Sequence, residues 1–330
     1  MIVEQLRERV RAGGLLARAG ERGEERPVLA MLSGGRDSTC LLDLCVALRG
    51  AGSVLALHVN YGLRDDAEAD ERHCAELCER AGVELRVRRA QPSAAPGAPG
   101  AEEGGVPGNL HAWARELRYA EAERLAGERD ALIATGHTAS DQLETILYRL
   151  AASPGRRALL GMAAAEGRLV RPLLEFTREQ TGAYCHARGL CWREDPSNED
   201  RRFARARVRH DLVPALRSVH PAAAANVLRT AALLREESEL LDALVERELG
   251  GRDAIELDRL RELPAALARM VVVRLAEGAA GAYVPQAGER VHEILALGAR
   301  GGPAELHVGG RACAVIERGQ LRMVKLAPRH

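Results

Sequence analysis

The chain has 330 residues, enough for two domains with buried cores, and its 46% hydrophobic and 28% charged shares are ordinary for a globular protein. The formal net charge is zero, which excludes a global field that draws the chain onto nucleic acid or a membrane surface. Any polyanionic partner needs a local basic patch.

From the N-terminus, the segment 1–11 is charged throughout and lacks the apolar core of a signal peptide. No apolar run approaches the roughly 20 residues that span a bilayer, so a cytoplasmic protein with no membrane partner is expected. The first strand reads Val28 to Leu32, after Pro27. A turn at Ser33 to Ser38 follows, then an apolar helical pattern from Thr39 to Leu48 (Cys40, Leu41, Leu44, Cys45, Leu48). Val54 to Val59 is a second strand, Asp66 to Ala81 a charged helix and Val83 to Val87 a third strand. Gln91 to Gly108 is rich in Pro, Gly and Ala and reads as a loop. Asn109 to Ala126 is helical, Ala131 to Thr135 is a fourth strand and Asp141 to Leu150 another helix. Leu169 to Leu173 reads as a short strand, and Arg178 to Arg188 is a helix stopped by Gly189. The alternation implies an α/β fold, a doubly wound parallel sheet with helices on both faces.

The texture changes after about residue 216. Ala222 to Leu249 reads as one long helix, Leu257 to Leu275 and Gln286 to Leu297 as two more, and Ala304 to Leu326 as a hairpin. The expected organisation is a catalytic domain over 1–216 and a smaller, mainly helical domain over 217–330.

Seven cysteines are present without C-x-x-C spacing, which points to reduced thiols. Lys325 is the only lysine among 47 Lys and Arg residues. That excludes a Walker loop ending in Gly-Lys-Ser/Thr, a lysine-adenylate and a Schiff base in the body of the fold.

A different phosphate site is present. Ser33-Gly34-Gly35-Arg36-Asp37-Ser38 joins a buried strand to a helix N-terminus, where unpaired N–H groups and the helix dipole favour an anion. Gly34 and Gly35 let the backbone approach a ligand, and Ser33 and Ser38 add hydroxyl donors. Asp37 would repel phosphate unless Mg²⁺ lies between them; its bland role is a helix-capping carboxylate.

The loop resembles that of the PP-loop, or N-type ATP pyrophosphatase, superfamily, which splits ATP between the α and β phosphates. Further segments resemble the lysidine synthase branch. His58-Val-Asn-Tyr-Gly-Leu-Arg64 is similar to H-V-N-H-G-L-R. The helix with Ala114-Arg115 and Arg118-Tyr119 resembles N-x-x-x-x-A-R-x-x-R-Y. Gly136 to Thr145 resembles G-H-x-A-D-D-Q-x-E-T, and Glu194 to Asn198 resembles E-D-x-S-N. Phe203 to His210 resembles F-x-R-N-x-I-R-H. Three positions depart from the pattern: Tyr61 replaces a histidine, Ser140 an aspartate and Ala206 an asparagine.

Each match has a plainer alternative. His58 alone reads as a buried strand-end histidine. Asp141 and Glu144 share a helix face, as surface charges often do. The arginines from 201 to 209 read as a solvated face, and Trp113 and Trp192 as packing residues. The order and number of the matches favour function.

The resemblance implies ATP and Mg²⁺ as cofactors, and a minor tRNA(Ile) with a CAU anticodon and free L-lysine as partners. It implies ATP binding by Ser33 to Ser38 and His58, with Asp37 and Asp141 catalytic and holding Mg²⁺. Arg115, Glu144, Arg205, Arg207 and Arg209 are the expected tRNA or substrate contacts. The alternatives are a PP-loop tRNA thiolation enzyme and a tRNA-binding module with impaired catalysis. The oligomeric state is open, a homodimer included.

Overall fold

The computed structural model describes residues 1–20, 24–63, 66–90, 110–153, 155–194, 201 and 203–327. The expected loop at 91–108, Arg64 and Asp195 to Asn198 lie outside these residues.

Six strands form the first sheet: β1 (Val28–Met31), β2 (Val54–Asn60), β3 (Glu84–Arg89), β4 (Leu132–Ala134), β5 (Ala165–Glu166) and β6 (Leu169–Val170). Their order is β3-β2-β1-β4-β6-β5, parallel except for the β5–β6 edge pair. Both faces are covered because β1 and the first four residues of β2, Val54 to Leu57, are apolar on both sides of the pleat. Val28, Ala30, Val54 and Ala56 join one cluster, with Leu41, Leu44 and Cys45. Leu29, Met31, Leu55 and Leu57 join another, with Ala122, Leu125 and Ile133.

The strand order places the functional loops. The chain leaves β1 toward β2 and β3, then returns to add β4 on the other side. The connections after β1 and β4 therefore diverge, opening a crevice at the strands' carboxyl ends. Ser33 to Ser38 follows β1, and the Gly136 turn follows β4. The two are in contact: a Cβ on Gly136 would stand 3.0 Å from the Asp37 carbonyl group and 3.1 Å from the Ser38 nitrogen.

Contacts divide the chain into two compact units, Met1–Ala231 and Ala232–His330, against the expected division near residue 216. Leu216, Ala224, Val227 and Leu228 pack on Leu143, Leu147, Val208 and Val213, which carries the first unit past that point. The long helix, Ala223–Leu249, crosses the division.

In the second unit the expected hairpin is part of a larger sheet. β8 (Ala304–Gly309), β9 (Ala312–Glu317) and β10 (Gln320–Lys325) form an antiparallel meander, and β7 (Ala254–Glu256) adds to β10. Three-residue β7 is too short to show a period. The β9–β10 turn uses Arg318 and Gly319, both at positive φ (50° and 76°), as a two-residue hairpin turn needs. The expected helix over 257–275 is two helices, Leu257–Glu262 and Ala265–Ala280, because Pro264 breaks the backbone ladder. Val271, Val272, Ile294, Ala314 and Leu321 are in this unit's core. No helix among the described residues is long and apolar enough to cross a membrane.

Gly136→Ala tests the contact between the two loops. The added methyl meets backbone, which cannot rotate away, so the substitution should cost about 1–3 kcal/mol in urea unfolding. A cost within error of zero would show that the loops do not touch in solution.

Candidate active site

The phosphate loop is stiffened by its own hydroxyls. Ser38 Oγ donates to the Gly35 carbonyl at 2.9 Å and accepts from the Ser33 N–H at 3.2 Å. The Ser33 and Ser38 hydroxyls are 3.0 Å apart, and Ser33 Oγ accepts from Gly35 N–H at 3.4 Å. Gly34 has φ 82°, and a Cβ there would stand 3.2 Å from Cys74 Sγ. Gly35 caps the Arg36–Arg49 helix without a side-chain acceptor, so the first-turn amides remain available to an anion.

His58 stands behind this loop. It is 4% exposed, and its Nδ1 lies 3.0 Å from the Leu32 carbonyl and 3.3 Å from Cys74 Sγ. It holds the strand end from which the loop departs. The later Arg193 N–H also braces the loop, donating to the Gly34 carbonyl at 2.9 Å.

Asp37, Asp141 and Glu144, drawn from two distant motifs, come together. Asp141 sits at the third position of the Ala139–Ala152 helix, where a capping box forms. Its Oδ2 accepts from the Thr138 N–H at 2.8 Å and the Thr138 hydroxyl at 2.7 Å. Its Oδ1 accepts from Arg178 at 2.6 Å and Arg205 at 3.0 Å. Glu144, 2% exposed, accepts from Arg178 at 2.6 Å, Arg209 at 2.8 and 3.2 Å and Arg205 at 3.1 Å. Asp37 pairs with Arg36 at 3.0 Å, accepts the Thr181 hydroxyl and lies 3.8 Å from Arg178 Nε.

The pKa directions follow from this packing. Burial pushes Asp141 up, but Arg178 and Arg205 and the Thr138 hydrogen bonds hold it below the ordinary carboxylate range. Burial likewise opposes ionisation of Glu144, and Arg209 and Arg178 overcome it. His137 accepts from or donates to the Thr135 hydroxyl at 2.8 Å. Burial pushes it down to about 4, with Asp141 opposing, so it is neutral at pH 7.

The expected tRNA arginines do not share one role. Arg205 and Arg209 turn inward to Glu144, although the Arg205 side chain remains 51% exposed. Arg207 donates to the Arg201 carbonyl at 3.1 Å and lines an open cavity of about 400 Å³ with Tyr148 and Leu212. Arg115 stacks on Tyr119, its guanidinium 4.6 Å from the ring centroid.

The departures from the family pattern have physical explanations. Tyr61 donates to the Ala114 carbonyl at 3.0 Å and packs 6.1 Å from Trp113, joining the end of β2 to the Leu110–Arg129 helix. Ser140 Oγ accepts from the Arg178 N–H at 3.2 Å. Ala206 is buried.

Arg178 and Thr181 were missed as site residues. A signal existed for Arg178: it opens the Arg178–Ala187 helix, where the dipole disfavours a cation. An arginine at that place implies anions supplied by other parts of the chain.

A PP-loop domain profile matches residues 9–216. The chain belongs to the PP-loop family. Curated relatives include a tRNA(Ile)-lysidine synthase of Pseudomonas fluorescens, 42% identical over 224 residues covering 66% of this chain and 48% of the relative. Another, from Azoarcus, is 35% identical over 311 residues covering 91% of this chain and 66% of the relative. The chain thus spans about half to two thirds of these relatives' length. Among solved structures, a U34-tRNA thiolase from Methanococcus maripaludis has a TM-score of 0.55 at 17% identity, over 71% of this chain and 79% of that one, a likeness of fold.

The donor set fits a Mg²⁺ that arrives with a nucleotide. Among the described residues no three-ligand protein cage is present. Mg²⁺ is commonly held by one or two carboxylates plus substrate phosphates, and Asp37 and Asp141 converge on one guanidinium beside the phosphate loop.

Glu144→Gln should cost about 3 kcal/mol at pH 7, because it removes the buried carboxylate that pairs the half-buried Arg178 and Arg209 guanidinium groups. Because Glu144 is held low in the folded state, its contribution is full above the unfolded value of about 4 and is lost as pH falls through the folded value. The gap between parent and variant in urea unfolding should therefore narrow below about pH 4. A gap that stays constant down to about pH 3 would contradict the assignment.

Proposed function

We propose that the protein uses ATP to join free lysine to C2 of the wobble cytidine of a minor tRNA(Ile) with a CAU anticodon. The product is lysidine, with AMP and pyrophosphate released. The observation that carries this reading is the ion-pair network that ties Asp37 of the phosphate loop to Asp141 and Glu144 of the following motif. The names of the relatives support the same reaction.

The cytidine O2 attacks the α phosphorus of ATP, and pyrophosphate leaves toward the amides of Ser33 to Ser38. C2 of the adenylated base then carries a good leaving group. The neutral lysine amine attacks it, AMP leaves and the amine loses a proton. Mg²⁺, held by Asp37 and Asp141, would neutralise phosphate charge. The residues of this chain orient the reactants in a site rich in fixed charge. Glu144 supplies negative charge for lysine as it enters as an ammonium, which sheds a proton to solvent before it attacks, and half-exposed Arg205 is the partner with room to move aside. Arg207 and Arg115 are assigned to the tRNA backbone. The unit after residue 231 is assigned to tRNA discrimination. The target base must leave its stack, which suits an anticodon loop.

Incubation with ATP, Mg²⁺, labelled lysine and the isoleucine tRNA transcript should give labelled tRNA. Bound tRNA without label would instead support a binding module. Asp37→Ala should reduce incorporation at least about a hundredfold with tRNA binding retained; undiminished turnover would remove Asp37 from the site. Arg207→Ala should weaken tRNA binding and reduce the slope of log affinity against log salt by about 1. An unaltered slope would take Arg207 off the tRNA surface.

A further inference from the structure

The network has one member that touches every carboxylate. Arg178 places Nη2 2.6 Å from Asp141, Nη1 2.6 Å from Glu144 and Nε 3.8 Å from Asp37. The other guanidiniums are less central. Arg36 pairs with Asp37, Arg205 with Asp141 and Glu144, and Arg209 with Glu144. Arg178 thus contacts both carboxylates assigned to Mg²⁺, so the guanidinium and a metal would draw on the same groups.

Two further features make this a poised position. First, Arg178 is the first residue of its helix, so its charge sits near the positive end of the helix dipole. The carboxylates hold it there, and a metal that took Asp37 and Asp141 would remove much of that hold. Second, its backbone is fixed independently of its side chain. The Arg178 N–H donates to Ser140 Oγ at 3.2 Å, and Thr177 caps the helix by bonding Gln180. The guanidinium can therefore move without unwinding the helix. The phosphate loop lies beside it, and a guanidinium fork suits phosphate oxygens.

We propose that Arg178 is a positioning residue that competes with Mg²⁺ for Asp37 and Asp141. It gives up these carboxylates to a metal–nucleotide complex and turns toward the phosphate chain. The guanidinium compensates the carboxylates, and its competition with the metal makes metal and nucleotide binding interdependent. Ser140 belongs to the same device. A hydroxyl there caps the Arg178 backbone without adding a further negative charge to the network.

The inference rests on the ATP-dependent reading above. Its test uses metal alone, so lysine incorporation can fail without deciding it. Mn²⁺ binding to the intact protein, without nucleotide or tRNA, is followed by electron paramagnetic resonance for the parent and Arg178→Gln. Removing the competing guanidinium should tighten Mn²⁺ binding by about tenfold or more, within the usual range of coupling between competing ligands. The variant's thermal midpoint should fall and be largely restored by Mg²⁺, while the parent's midpoint hardly responds. Adding Asp141→Asn should abolish both metal responses. If Arg178→Gln does not fold, Arg178→Lys should bind Mn²⁺ more tightly than the parent, because an ammonium cannot fork between the carboxylates. A purely structural arginine would lower the midpoint without tightening metal binding. Unchanged or weaker Mn²⁺ binding in the folded variant would overturn the proposal, as would equal Mg²⁺ stabilisation of parent and variant.

Discussion

Glu144 carries a charge inside the protein at 2% exposure, and three guanidinium groups surround it. A lone carboxylate at that depth would take up a proton or destabilise the fold by several kcal/mol. The arrangement persists because its cations come from segments far apart in the chain: Arg178 opens one helix, and Arg205 and Arg209 lie in the helical stretch after residue 203. The site is therefore assembled only when the chain from the phosphate loop to Arg209 has closed on itself.

The sheet makes this closure possible. The reversal of strand order between β1 and β4 sets two loops against one crevice, and Gly136 lets them meet at backbone distance. The capping box at Thr138 aims Asp141 back at its own helix start and leaves one oxygen for the arginines. Thr181, one turn beyond Arg178, brings its hydroxyl to Asp37. Short-range helix chemistry and long-range charge pairing thus act on the same carboxylates and together fix their positions.

Charge compensation also explains why this arginine-rich chain does not present its basic cluster as a plain surface patch. Arg205 and Arg209 spend their charge inward, while Arg207, between them, lines an open cavity with Tyr148 and Leu212. Helical geometry turns alternate residues to different surroundings, so neighbours in sequence acquire different roles.

By itself the sequence determined the phosphate loop, the parallel α/β sheet and the pairing of Asp141 with Glu144 on one helix face. These depend on local periodicity and on residues a few positions apart. It did not disclose β7, which is three residues long and exists only by pairing with β10. It suggested one helix where Pro264 makes two, because the apolar pattern continues across the break. Only the tertiary structure decided what the charged residues do. His58 supports the loop from behind, Ser140 caps the Arg178 backbone, and Arg178 joins three carboxylates. An arginine and a carboxylate more than 30 positions apart leave no periodic trace of their pairing. Their meeting is set by the sheet's strand order, and that order is a property of the folded chain.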